Sequence, residues 1–77
     1  MQPGFKPDVR TDLHDGEGSV LSVVVDTNGV SWMMYMEYNP AGGNLAVSQA
    51  WWFTDRSRAL KEYEEKAETA VSQGWQR

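Results

Sequence analysis

The stretch Ser19–Tyr38, SVLSVVVDTNGVSWMMYMEY, decides how this chain folds. A β-branched run from Ser19 to Asp26 faces an aromatic and methionine-rich run from Val30 to Tyr38, with Thr27-Asn28-Gly29 between them. Valine and aromatic side chains suit a pleated, half-buried surface. Asn-Gly fits a type I′ turn, whose two central residues both need positive φ. That turn pairs Thr27 with Val30 and predicts Val25 opposite Trp32, Val23 opposite Met34 and Leu21 opposite Met36. Side chains alternate along a strand, so one face of this hairpin is almost wholly apolar. The neighbours Met33 and Met34 thereby serve opposite faces of one strand.

Working outward, Asn39–Asn44 (NPAGGN) is turn chemistry, and Leu45–Thr54 (LAVSQAWWFT) reads as a third strand. Folding it back predicts Leu45 near Tyr38, Val47 near Met36, Trp51 near Trp32 and Phe53 near Val30. Thr54 or Asp55 can then cap a helix that runs through RALKEYEEKAETAV. Gly74 suits the position just past the helix end, with Trp75 packing back in a Schellman-type ending. Leu60, Tyr63, Ala67, Ala70 and Val71 form a narrow apolar stripe on a helix roughly 28 Å long at 1.5 Å per residue, enough to lie along a sheet. The expected architecture is α+β: a three-stranded antiparallel meander with one C-terminal helix packed on one face.

Met1–Gly18 carries Pro3, Pro7, Gly4, Gly16 and Gly18 and reads as a flexible or loosely docked N-terminal arm, with residues 19–77 as a single β-β-β-α domain. Phe5, Val9 and Leu13 recur every four residues, and Pro7 suits a first helical turn, so a short docked helical turn is one option for the arm.

Composition bounds what the domain can do. A chain of 77 residues buries roughly 60% of its unfolded surface, which supports one core and leaves little room for an enclosed substrate cavity. No cysteine is present to form a disulfide or a thiolate metal site. Eleven acidic against seven basic residues give a net charge of −4, which opposes contact with a phosphate backbone. Direct nucleic-acid binding is not expected. The same charge is compatible with a basic protein partner, and equally with solubility alone. The N-terminus lacks the apolar run of a signal peptide, and the longest apolar run, Trp32–Met36, is far short of a membrane span. A cytoplasmic protein is expected, in the host-cell cytosol if phage-encoded, with no membrane partner.

Catalytic signatures are missing. Asp12, His14, Asp15 and Glu17 cluster in TDLHDGEG without calcium-loop spacing, and a lone histidine cannot supply a multi-histidine zinc site. No serine sits in a nucleophile elbow, and no glycine-rich loop opens a helix. No catalytic, metal or cofactor residues are assigned, and an enzyme or enzyme subunit is the least favoured reading.

Two surfaces are left for binding. The sheet side away from the helix carries Val20, Val24, Met33, Tyr35, Ala46, Ala50 and Trp52 among Ser22, Asp26, Ser31, Glu37 and Ser48. An apolar patch with aromatics and methionine on an open face marks an interface, unless the arm folds over it through Phe5, Val9 and Leu13, or a second copy covers it. The helix adds Glu62, Glu64, Glu65 and Glu68, a solvated face that could also dock on a basic groove. Met33, Tyr35, Trp52 and Val24, assisted by Glu62, Glu65 and Glu68, are the candidate protein-binding residues.

The C-terminal WWFTDRSRALKEYEEKAETAVSQGW resembles the end of WGR domains, where an aromatic strand leads into a helix closing on Gly-Trp. The Trp-Gly-Arg strand motif is absent, so the family's nucleic-acid role is not carried over. In size, acidity and lack of cysteine the chain is similar to small phage accessory proteins, including anti-CRISPR inhibitors. The expected function is therefore non-catalytic: a small acidic module that binds a larger protein, in the manner of a phage-type inhibitor acting by surface occlusion. A homodimeric accessory domain is the alternative.

Overall fold

The computed structural model describes residues 4–77. It is an α+β domain with five antiparallel strands, β1 (Lys6–His14), β2 (Val20–Thr27), β3 (Trp32–Asn39), β4 (Ala46–Val47) and β5 (Trp51–Phe53), followed by one helix, α1 (Arg56–Ser72). The strands lie in the order β1-β2-β3-β4, and β5 continues beside β3. The expected meander is present. It is extended by β1, and its third strand is divided into β4 and β5.

The β2–β3 hairpin closes through four residues, Asn28–Ser31, rather than two. The Asn28 carboxamide oxygen accepts from the Val30 and Ser31 amides at 3.0 and 2.7 Å, and Gly29 takes φ +95°. Thr27 Oγ1 donates to the Ser31 carbonyl at 2.8 Å. These local bonds satisfy the loop, and they move the register so that Thr27 faces Trp32, Val25 faces Met34 and Val23 faces Met36. The slip from the expected register is two residues. Side chains repeat every two residues along a strand, so every residue keeps its predicted face.

Beyond Asn39 the register differs again. Tyr38 faces Ala46 and Glu37 faces Val47, whereas Met34 faces Trp51 and Trp32 faces Phe53. Gln49 and Ala50 therefore share the place opposite Tyr35, a β-bulge. Ser48 holds its start: its amide donates to the Met36 carbonyl at 2.9 Å, and its hydroxyl accepts from the Met36 amide at 2.9 Å. The shift turns Ala46 toward the helix side and Val47 toward the open side, the reverse of the sequence expectation. Trp51 and Phe53 remain on the helix side, and Trp52 on the open side.

The N-terminal stretch departs most from expectation. Residues 6–14 are an edge strand paired along β2, neither a loose arm nor a helical turn, and residues 1–3 of the expected arm lie outside the described residues. Val9, Thr11 and Leu13 alternate toward the helix, opposite Val25, Val23 and Leu21. The polar Thr11 obscured this two-residue period, and its hydroxyl is hydrogen-bonded to the Tyr63 hydroxyl of α1. A bulge at Asp8 reverses the alternation, so Pro7 pairs with Asp26 of the open face. The acidic TDLHDGEG segment ends β1 and forms the hairpin: Asp15 Oδ1 accepts from the Glu17 amide at 2.7 Å and from the Ser19 amide at 3.2 Å.

Asp55 caps α1 by accepting from the Ser57 amide at 2.9 Å. The far end is a Schellman motif: the Trp75 amide reaches the Ala70 carbonyl and the Gly74 amide reaches Val71, with Gly74 at φ +107°. Trp75 then stands edge-on to Tyr38, ring centres 6.1 Å apart. Gln76 exchanges two backbone bonds with His14, at 2.7 and 2.8 Å, on the outer edge of β1. The helix buries Ala59, Tyr63 and Ala67 against Val23, Val25 and Met34, with Val9, Trp32, Met36, Trp51 and Phe53 around them, and Ala70 is buried one turn further on. Ala59 replaces the expected Val71 in this stripe; Val71 is exposed. At the helix start, Arg56 grips Asp8 with two bonds of 2.9 and 3.1 Å. The Arg56 hydrogen bonds lower the Asp8 pKa against the cost of burial, and Trp32, whose buried indole N–H has no full hydrogen bond, contributes weakly to the same carboxylate.

Candidate protein-binding face

One helix covers one side of the sheet. On the other, cross-strand rows run Pro7–Asp26–Met33–Trp52, then Arg10–Val24–Tyr35, then Asp12–Ser22–Glu37–Val47. No element packs over these rows among the described residues. Phe5 reaches across one end, edge-on to Trp52 with ring centres 5.7 Å apart.

The middle of this face is buried without a covering layer. Val24 is 2% exposed between Arg10 and Tyr35 and, unlike Asp26, does not line the depression beside β4 and β5, so it supports the surface and is not itself available to a partner, contrary to its place among the candidate contacts. Asp26 is 4% exposed, and its Oδ2 accepts from the Tyr35 hydroxyl at 3.2 Å. Burial pushes the Tyr35 phenol above its ordinary pKa of 10.0, and the Asp26 carboxylate beside it adds to the shift.

The row nearest the β1–β2 hairpin is a charge ladder. Ser22 Oγ donates to Asp12 at 2.6 Å, and Arg10 reaches Asp12 at 2.9 Å, Ser22 at 3.2 Å and Glu37 at 3.2 Å. The Ser22 hydrogen bond, followed by Arg10, holds the Asp12 carboxyl below its usual range. Arg10 is thus spent on two carboxylates and offers little to a phosphate. Among the described residues no three potential metal ligands come together.

The edge of the face along β4 and β5 is more apolar and open. Met33 and Tyr35 are half-buried, while Trp52 is 54% and Val47 59% exposed. A depression of about 410 Å³ lies between β3 and the β4–β5 edge, lined by Asp26, Met33, Tyr35, Glu37, Val47, Ser48 and Ala50. Val47 also borders a nearly all-apolar hollow with Leu21, Met36, Tyr38 and Ala46 on the helix side. Three of the four predicted sheet residues, Met33, Tyr35 and Trp52, therefore share one exposed region. Val47 joins them unforeseen, and the buried Asp26 lines the floor they surround. Val47 was hidden by the bulge. Asp26 was legible only as a polar residue inside a valine run.

The helix glutamates form no uniform strip. Glu62 lies 3.9 Å from Lys66, whose ammonium also sits 5.2 Å from the centre of the Trp51 ring, and Glu64 pairs with Arg77 at 3.4 Å. Glu62 and Glu65 border a hollow together with Arg58 and Lys61, so the local charge is mixed. Glu65 and Glu68 are exposed and far less organised than the sheet face. Among the described residues no helix is long and apolar enough to cross a membrane. Compared with known proteins, the chain matches no family model, no curated protein and no solved structure, so the likeness to the end of WGR domains rests on the strand, helix and Gly-Trp order alone.

Proposed function

We propose that this domain is a non-catalytic protein-binding module that acts by covering a surface of a larger protein, in the manner of small phage-type inhibitors of host defence proteins. The observation that carries the reading is the open sheet face, where Trp52 and Val47 stand more than half exposed around the half-buried Met33 and Tyr35. Exposed aromatic and apolar residues over a rigid sheet are what a binding anchor needs, because little ordering entropy is lost on docking. The charge of −4 supports a partner with a basic surface.

The test is capture from a bacterial lysate with the wild-type domain and with Val47→Ser/Trp52→Ala. Both positions are exposed, so circular dichroism should show an unchanged fold. The partner should be lost with the double variant. Equal capture by both proteins would remove the sheet face from the reading.

A second reading has its own observation. Tyr38, Leu45 and Val47 expose apolar surface along the short β4 edge, which suits pairing with another copy. Sedimentation at several concentrations decides it: a dimer that dissociates in Val47→Ser supports self-association, and a strict monomer eliminates it.

A further inference from the structure

We propose that the depression between β3 and the β4–β5 edge seats a Lys or Arg side chain of the protein partner, with Asp26 as its counter-ion. The proposal rests on the protein-binding reading and adds the partner's chemistry. Asp26 is 4% exposed and forms no ion pair among the described residues; its hydrogen bond there comes from the neutral Tyr35 hydroxyl at 3.2 Å. A carboxylate held so far out of water by one neutral donor is poorly compensated. The two acids of the neighbouring β1, by contrast, each have an arginine: Asp8 has Arg56, and Asp12 has Arg10.

The surroundings suit a cationic side chain in particular. Met33, Tyr35, Val47 and Ala50 line the depression and match the aliphatic stem of Lys or Arg, which buries readily while its head seeks a carboxylate. Glu37 supplies a second carboxylate at the wall, although Arg10 already lies 3.2 Å from one of its oxygens. Two carboxylates without a third ligand make a poor seat for a metal ion. The volume, about 410 Å³, exceeds what one side chain fills, and the exposed Val47 and Trp52 extend apolar contact past its rim. That breadth favours a protein surface over a free amine, since a small ligand would leave the rim in water.

The experiment compares two blocked peptides, acetyl-Ala-Arg-Ala-amide and its citrulline counterpart, by amide chemical shifts of the labelled domain. Citrulline keeps the shape and removes the charge. The arginine peptide should shift Asp26, Met33, Tyr35 and Ala50 in a saturable way, and citrulline should bind at least about tenfold more weakly. In Asp26→Asn, which keeps an acceptor for the Tyr35 hydroxyl, arginine should lose that advantage. Equal shifts from both peptides, or shifts confined to the helix glutamates, would overturn the proposal. The failure modes separate. If Val47→Ser/Trp52→Ala loses the captured partner while Asp26→Asn retains it, the sheet face binds protein and the cation seat is wrong. If the double variant keeps the partner yet the arginine peptide discriminates at Asp26, the seat holds and the broader reading of the face fails.

Discussion

The two faces of the sheet use the same strands and are held by different physics. On the helix side Val23, Val25 and Met34 are fully buried against Ala59, Tyr63 and Ala67, and close packing of apolar atoms does the work. On the open side Ser22, Val24 and Asp26 are also buried, yet no layer covers them among the described residues. Their neighbours shield them instead: Arg10 and Asp12 from β1, Tyr35 and Glu37 from β3. A second face can thus be made orderly by polar cross-strand contacts, and its rim remains free to bind.

Substitutions at particular residues can break this contrast. Met34→Ala, at the centre of the helix face, should cost about 2–5 kcal/mol in urea unfolding, as large-to-small changes in a packed core do. Trp52→Ala removes a larger side chain from the open rim, but should cost no more than about 1.5 kcal/mol, chiefly its contact with Phe5. Comparable losses from the two would show that the open face is a second core. Tyr35→Phe leaves the buried Asp26 without its donor and should cost about 1–3 kcal/mol. No loss there would mean that water already serves Asp26.

Gly74→Ala should cost about 1–2 kcal/mol, because φ is +107° and the added methyl meets nothing within 4 Å, leaving backbone strain as the sole penalty. The smallest effect is in acid. The folded pKa of Asp8 is depressed below its ordinary 3.8, chiefly by the Arg56 hydrogen bonds. Its contribution is therefore complete above the unfolded value and disappears as pH falls through the folded one. Asp8→Asn should unfold slightly earlier than wild type at neutral pH, and the two thermal curves should converge in strong acid.

Much of this was readable from the residues. The strand pattern of Ser19–Tyr38 gave the right faces even with a four-residue loop in place of the expected turn, because a slip of two preserves alternation. The Asp55 cap and the Gly74-Trp75 ending follow from local chemistry and appear as expected. What escaped depends on single-residue irregularities. The bulge at Gln49-Ala50 turned Val47 outward, and the bulge at Asp8 put Phe5 near Trp52 while Val9 went to the core. In β1 the spacing of Phe5, Val9 and Leu13 also fits a helix, and the polar Thr11 between Val9 and Leu13 masked the strand alternation. Of the candidate site, the placement of Met33, Tyr35 and Trp52 on the open face was legible from alternation. The buried state of Val24 and Asp26 depends on how long neighbouring side chains lie, which no periodicity encodes.

The bridge between His14 and Gln76 has a bearing on how the chain is made. During synthesis β1 emerges early, but the residue that pairs with its outer edge at His14 follows nearly the whole domain later. At ~5–20 residues per second that interval is on the order of several seconds, long compared with hairpin formation. For that time the backbone beyond β1 has Pro7 and the Asp8 bulge as its guards at one end and nothing at the other. The tail then adds one backbone pair to this edge, at His14, the end opposite Pro7 and the Asp8 bulge.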